Sequence, residues 1–200
     1  MSANTTLDRR HLRNTYYGMR HGESKANELG IIISDMETGR KMEFSLTACG
    51  RESVRISANN YLMLGSDTIF VCSPFARTKT TAFIAKDILA PGLLIVDSSL
   101  RERYFGIYER TSNMNYEKVW NEDKKDPDYR GHGGESVNDV LTREIMLIEG
   151  FEKIISGYNI FLVSHGDPLQ ILECWFRGIN PRVHRGIANW KTAEIRRLSM

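Results

Sequence analysis

Two histidines in this chain each follow an apolar run. His21 comes after Thr15-Tyr16-Tyr17-Gly18-Met19 and Arg20, and His165 comes after Ile160-Phe161-Leu162-Val163-Ser164. Short apolar runs read as buried strands, and the strands of an open α/β sheet present the residues at their carboxyl ends to a shared crevice. Imidazole can act as a nucleophile at neutral pH, and arginine holds a permanent charge on a donor fork that matches phosphate oxygens. Two histidines and Arg20 gathered at one crevice therefore point to phosphoryl chemistry. Either histidine alone reads as a structural residue at a strand end, so the inference depends on the two being brought together.

Strand-like and helix-like segments alternate along the chain, the pattern of helices packed on a mostly parallel sheet. The expected fold is α/β, a three-layer α/β/α sandwich with an antiparallel edge strand. Thr68-Ile69-Phe70-Val71-Cys72 is a continuous apolar run of the kind buried on both faces, closed by Ser73-Pro74. Leu93 to Val96 and Ile160 to Val163 supply further strands, and Ala193 to Leu198 alternates like a strand at the sheet edge. One helix is expected over Thr47 to Leu64, with Leu46, Val54, Ala58, Tyr61 and Leu62 available for an apolar face. A second opens at Arg77 and stops at Pro91-Gly92, with Thr81, Ala82, Ile84, Ala85 and Ile88 inward; others run from Ser136 to about Ile155 and from Pro168 to Phe176. Ser24 can cap a short helix after the first strand, and Ser136 followed by Asp139 resembles a capping box. Gly30 to Lys41 and Leu100 to Gly134 lack periodicity and are expected as loops, the second a lid over the crevice.

A chain of 200 residues is most naturally one domain that needs no disulfides. Residues 1–14 carry Arg9, Arg10 and Arg13 without an apolar core, and read as a flexible, solvated tail rather than a secretory signal, leaving 15–200 as a single domain. A net charge of +2 with 26% charged residues is too weakly basic to imply nucleic acid or an anionic membrane, and nothing approaches a membrane span. Cys49, Cys72 and Cys174 are odd in number and lack close spacing, so reduced thiols in a cytoplasmic protein are expected. No metal-ligand spacing such as His-Glu-x-x-His occurs, and neither a metal nor another cofactor is expected.

Five motifs occur in order: Arg20-His21-Gly22-Glu23-Ser24-x-x-Asn27, Ser73-Pro74-x-x-Arg77-x-x-x-Thr81-Ala82, Leu100-x-Glu102-x-x-Phe105-Gly106, Gly134-Glu135-Ser136 and Ser164-His165-Gly166. Together they resemble the histidine phosphatase superfamily, which includes cofactor-dependent phosphoglycerate mutases and fructose-2,6-bisphosphatases. The match spans nearly the whole chain from Tyr16.

The resemblance implies that His21 is the nucleophile that becomes phosphorylated, with Arg20, Arg77 and His165 completing the phosphate pocket. A loose phosphoryl-transfer transition state offers mainly charge to stabilise, and converging cations meet that need at roughly 1.5–3 kcal/mol for each charge-assisted hydrogen bond. The same cations should disfavour protonation of His21 and keep its lone pair free. Glu102 takes the general acid's position, the other reading being a salt bridge to Arg101 or Arg103. Asp167 stands where the family more usually has glycine; it is a second acid candidate, or a cap for the helix beginning near Pro168. Asn27 is expected to donate an amide to the substrate, or else to be a polar residue of the first helical turn, and Gly22 to let the backbone approach the phosphate. Arg103 matches a mutase arginine that contacts substrate, but the tyrosine expected two positions on is Phe105. Glu135 and Ser136 border the crevice by analogy. His11, His132 and His184 match no motif and are read as surface or loop residues, His132 with a weak claim on the substrate side.

These expectations favour a metal-independent phosphomonoester hydrolase acting through a phosphohistidine on a small phosphorylated metabolite. Asp126-Pro127-Asp128-Tyr129-Arg130, leading into Gly133 to Ser136, is similar to the corresponding stretch of sugar-bisphosphate phosphatases, and the expected lid is short for a mutase. The alternatives are a phosphoglycerate mutase and a non-catalytic phosphate-binding or interaction module on the same scaffold.

Overall fold

A computed structural model describes residues 7–199. Its elements run β1 (Thr15–Arg20), α1 (Lys25–Leu29), α2 (Met36–Gly39), α3 (Ala48–Asn59), β2 (Thr68–Cys72), α4 (Ala76–Leu89), β3 (Leu93–Val96), α5 (Tyr116–Asp123), α6 (Val137–Ile154), β4 (Asn159–Ser164), α7 (Gly166–Arg177) and β5 (Ile195–Arg197). The strands form one sheet in the order β3-β2-β4-β1-β5, parallel throughout except for β5, which runs antiparallel to β1 at the edge. This is the three-layer sandwich that the alternating segments predict.

Side chains alternate across a strand, and β4 at the centre of the sheet uses both faces. Phe161 and Val163 join Met19, Phe70 and Cys72 under Val54 and Ala58 of α3 and Ala82, Ala85 and Leu89 of α4. Ile160 and Leu162 join Tyr16 and Val71 under Ile148 and Phe151 of α6 and Leu169, Leu172 and Phe176 of α7. The Phe70 and Phe161 rings stack at 4.5 Å between centroids, pinning β2 to β4. Truncating a ring buried this completely costs about 3–5 kcal/mol.

Register then decides what reaches the crevice. Arg20 of β1 pairs with Ser164 of β4, and Cys72 of β2 pairs with Val163. The ladder continues one residue further, with His21 N donating to Ser164 O at 3.1 Å and Ser73 N to Val163 O at 3.0 Å. His21, Ser73 and His165 therefore leave three neighbouring parallel strands at one end.

Several boundaries differ from expectation. α3 stops at Asn59 and the chain turns, so Leu62 lies 63% exposed instead of completing the apolar face. α7 begins at Gly166, which makes His165 both the end of a strand and the cap residue of a helix. The expected lid contains helix α5, and the expected loop 30–41 contains α2, capped by Asp35. The Ser136/Asp139 capping box forms, with Asp139 N donating to Ser136 Oγ at 3.1 Å and Ser136 N to Asp139 Oδ2 at 2.9 Å. Of the expected tail, residues 1–6 lie outside the described residues, while Leu7 and Leu12 pack on the α6/α7 side of the core and Arg13 Nη1 donates to Glu152 O at 2.8 Å. Among the described residues no helix is long and apolar enough to cross a membrane.

Candidate active site

At the carboxyl ends of β1, β2 and β4 lies a crevice of about 250 Å³, lined by Arg20, His21, Asn27, Arg77, Glu102, Asp167 and residues of the segments around them. Ser73-Pro74 ends β2 and turns the chain into α4, whose first turn carries Arg77 back over the strand ends. The Arg77 Nε hydrogen faces both His21 Nε2, at 3.1 Å, and His165 Nδ1, at 3.2 Å. Its Nη2 donates to Ile33 O at 2.9 Å and lies 3.5 Å from Glu102 Oε2. Nη1 is buried without a protein partner.

Hydrogen bonds fix both imidazole tautomers. His21 Nδ1 lies 2.7 Å from Gly22 O, an atom that can only accept, so Nδ1 bears the proton and the Nε2 lone pair faces Arg77. In His165 the acceptor is Nδ1, so Nε2 donates to Ser73 Oγ at 2.9 Å. Burial first, and then the charges of Arg77 and Arg20, hold the His21 pKa well below its ordinary value. Burial, Arg77 and His21 do the same for His165. Both rings are thus neutral at physiological pH, burial adding to the cation effect expected from the sequence.

Arg20 approaches from β1, and its Nη1 donates to Trp190 O at 2.6 Å while Nε is buried and unpartnered. Gly166 leaves room for this guanidinium, since a Cβ there would stand 3.3 Å from Arg20 Nε. A Cβ on Gly22 would meet Gly50 O at 2.5 Å, so its smallness serves close packing against α3. Asn27 lines the crevice; its Oδ1 accepts from Ser24 N at 3.0 Å in a capping box, leaving the amide NH₂ for the crevice.

Glu102 is pushed up to about 7 by burial, reinforced by Asp167 and opposed by Arg77. Its Oε1 accepts from Arg103 N at 3.1 Å, and Oε2 lies 3.6 Å from His165 Nδ1. The salt bridges weighed from the sequence do not form: Arg101 pairs with Glu135, and Arg103 with Asp123. A carboxyl that is part protonated at neutral pH, beside an uncharged imidazole, can both give and take a proton.

Asp167 is in a different state. Burial raises its pKa, but the charge and hydrogen bond of His184, with Arg103 and Arg185, outweigh that and hold it below the usual carboxylate range. Oδ1 lies 2.9 Å from His184 Nε2 and accepts from Trp120 Nε1 at 2.9 Å, while Oδ2 lies 3.4 Å from Arg103 Nη1. It is a cross-link between α5, α7 and the 3-10 segment Pro181–Gly186.

Arg103 does not reach the crevice. Its side chain is fully buried, forking onto Asp123 at 2.7 and 2.8 Å and donating from Nε to Glu135 O at 2.8 Å. The guanidinium expected on the substrate side is instead committed to Asp123, which α5 brings to meet it. The same helix sets Tyr116 against buried Phe105, with ring centroids 4.6 Å apart, and gives the crevice wall a phenol. His184, expected on a surface or loop, is fully buried against Asp167. His132 is 1% exposed, stacked 5.6 Å from Tyr129 and away from the crevice lining, whereas His11 lies on the surface beside Asp8. Glu135 pairs with Arg143 at 3.0 Å rather than lining the crevice.

Sequence reasoning missed Ser73 as the partner of His165, Tyr116 and Trp120 of α5, and Arg185. Ser73 lay inside a quoted motif. The spacing Tyr116, Val119, Trp120, Asp123 is helical and could have revealed α5; Arg185 carries no local signal. Among the described residues no group of three or more His, Cys, Asp or Glu is placed to hold a metal ion.

Comparison with known proteins agrees with this geometry. A family model described as histidine phosphatase superfamily (branch 1) matches residues 16–200. A putative phosphoserine phosphatase of Hydrogenobacter thermophilus is 31% identical over 175 residues, covering 82% of this chain and 78% of the relative. A probable phosphoglycerate mutase of Photorhabdus laumondii is 28% identical over 174 residues, covering 84% and 77%. Among solved structures, a mycobacterial glucosyl-3-phosphoglycerate phosphatase superimposes with a TM-score of 0.73 at 18% identity, covering 90% of this chain and 88% of that one. A putative alpha-ribazole-5'-P phosphatase of Escherichia coli gives 0.69 at 22% identity, covering 93% and 96%. With the model spanning β1 to β5 and four of the five ordered motifs supplying residues to one crevice, the chain belongs to branch 1 of the histidine phosphatase superfamily and is an enzyme of phosphoryl chemistry.

Proposed function

We propose that the protein hydrolyses monoesters of small phosphorylated metabolites through a phosphohistidine on His21 Nε2. The observation that carries this reading is a neutral imidazole with its Nε2 lone pair turned toward Arg77, beside two guanidiniums whose Arg20 Nε and Arg77 Nη1 are buried without protein partners. Buried donors left open in this way are costly unless an anion completes them.

In the first step Nε2 attacks phosphorus, the ester P–O bond breaks, and the leaving oxygen takes the proton of Glu102. In the second, Glu102 as carboxylate removes a proton from water, whose oxygen bonds phosphorus as the P–N bond breaks, returning phosphate and neutral His21. Arg20 and Arg77 stabilise the charge spread over the equatorial oxygens in both steps. Charge from protein cations makes the reaction metal-independent. All three cysteines are free thiols, which supports a cytoplasmic setting.

Brief mixing with a ³²P-labelled monoester, acid-free quenching and digestion tests the intermediate. An acid-labile, alkali-stable label on the His21 peptide, lost in His21→Ala, is the expected result; turnover undiminished in His21→Ala removes His21 from the nucleophile's role. The phosphoglycerate mutase-like relative favours one second reading, transfer rather than release. Supplying 3-phosphoglycerate with 2,3-bisphosphoglycerate separates the two by their products.

A further inference from the structure

We propose that Arg185 is a specificity residue that takes the carboxylate of a phosphorylated acid bound in this crevice. Arg185 lines the same crevice as His21, from the 3-10 segment Pro181–Gly186. Its guanidinium lies over the Trp120 ring, 3.8 Å from the centroid. Nη1 donates to Gln170 Oε1, and among the described residues the Arg185 side chain makes no other hydrogen bond and no ion pair within 4.0 Å. The charge of Asp167 acts on Arg185, but its hydrogen bonds go to His184, Trp120 and Arg103, so no carboxylate occupies the Arg185 fork.

The cation is held rigidly. Trp120 is fixed by its bond to Asp167 at 2.9 Å and by stacking on Tyr116 at 5.2 Å and 13°, and Gln170 is fixed by Asn189 Oδ1 at 3.2 Å. A guanidinium stacked on a ring and bonded at one nitrogen still offers Nε and Nη2, a planar edge that fits two carboxylate oxygens. Charge favours a carboxylate over a second phosphate. A phosphate dianion on Arg20 and Arg77 leaves one lining arginine, with Glu102 and Asp167 already in the wall. The remaining lining, Asn27, Asn113 and Ile31 among it, suits a short polar carbon chain. The substrate class is therefore a small phosphomonoester of a hydroxy or amino acid.

The proposal rests on the phosphatase reading, so binding is measured apart from turnover. Wild-type kcat/KM is compared for 3-phosphoglycerate and glycerol 3-phosphate, which differ in the carboxylate, and calorimetric Kd for the same pair is measured on His21→Ala. Both ratios should favour the carboxylate by roughly 10- to 100-fold. Arg185→Gln should bring each within about threefold of unity, and Arg185→Lys, keeping the charge without the fork, should fall between. A wild-type ratio near unity in both measurements overturns the proposal whether or not the variants fold. So does an unchanged ratio in Arg185→Gln, or stronger Arg185-dependent discrimination of fructose 1,6-bisphosphate from fructose 6-phosphate than of the carboxylate pair. Absent turnover with the Kd ratio retained removes the phosphatase reading and leaves the carboxylate site standing.

Discussion

Arg77 aims its one Nε hydrogen between His21 Nε2 and His165 Nδ1, at 3.1 and 3.2 Å, holding the two rings 5.2 Å apart at 67°. The geometry requires a lone pair on both nitrogens, and burial together with the arginine's own charge keeps both rings unprotonated. One side chain therefore reinforces the effect of burial on the proposed nucleophile and also offers an unpaired Nη1 to the phosphate it would attack.

Arg77→Lys should consequently fail although charge is conserved. A lysine has no fork to span two imidazoles and the Ile33 carbonyl at once. We expect kcat/KM to fall by about 10²–10³-fold, the loss typical when a preorganised transition-state donor is removed. Wild-type activity in excess chelator should be unchanged, since the charge is supplied by Arg20 and Arg77. Activity abolished by chelator and restored by a divalent ion would contradict this.

Much of the fold was legible because β4 and β2 are apolar on both faces, a pattern produced by central parallel strands. The convergence of His21 and His165 followed from their places at strand ends. α5 was only partly legible: Tyr116, Val119 and Trp120 have helical spacing, but its buried face also includes Asp123, whose burial depends on Arg103 some 20 residues earlier in the chain. Arg103 was misplaced for the same reason, because sequence cannot say which of several carboxylates an arginine will meet. His184 and Arg185 sit in an irregular segment whose position is set by Asp167 and Gln170. Asp167, weighed as an acid or a helix cap, lines the crevice and bonds to Trp120, His184 and Arg103, partners that its sequence neighbours do not announce.

Asp167→Asn tests that cross-link. The carboxylate's folded pKa is depressed below its unfolded value, so its ionic contribution to stability is present above the unfolded pKa, near 3.9, and is lost as pH falls through the folded value. At pH 7 the variant should lose about 3–5 kcal/mol in urea denaturation, as when one partner of a buried pair is removed. The loss should shrink below pH 4. Its kcat/KM for alkyl and nitrophenyl phosphates should fall by the same factor; a fall confined to alkyl esters would make Asp167 the acid.

Glu144 of α6 is fully buried with both carboxyl oxygens unpartnered, and burial raises its pKa well above the ordinary value. Folding therefore favours the protonated form. Its contribution is fully present below the unfolded pKa, near 4.3, and declines as pH rises through the folded value. Glu144→Gln should raise Tm at pH 8, on the order of 1–3 kcal/mol or several degrees for a chain of this size, and the gain should vanish near pH 4. An equal gain at both pH values would show that charge is not the cause.

Glu102, at about 7, is protonated below neutrality and ionised above it. The proposed first step consumes its proton, so kcat/KM for an alkyl phosphate, expressed per substrate dianion to remove the phosphate's own ionisation at about pH 6, should hold level below pH 7 and fall about tenfold per unit above it. The acid side should stay level, since the His21 pKa lies well below its ordinary value. A nitrophenyl ester, whose leaving group needs little protonation, should show a much weaker alkaline fall. Glu102→Gln should flatten the alkaline limb and slow the alkyl ester by about 10²–10⁴-fold while slowing formation of the phosphoenzyme from the nitrophenyl ester far less. Water attack on that phosphoenzyme needs the same carboxylate as base. Rapid mixing of the variant with nitrophenyl phosphate should therefore give a burst of nitrophenol followed by slow turnover. Equal slowing of both esters with no burst would leave Glu102 a structural partner of Arg77 and His165, and the proton would have to come from elsewhere in the crevice.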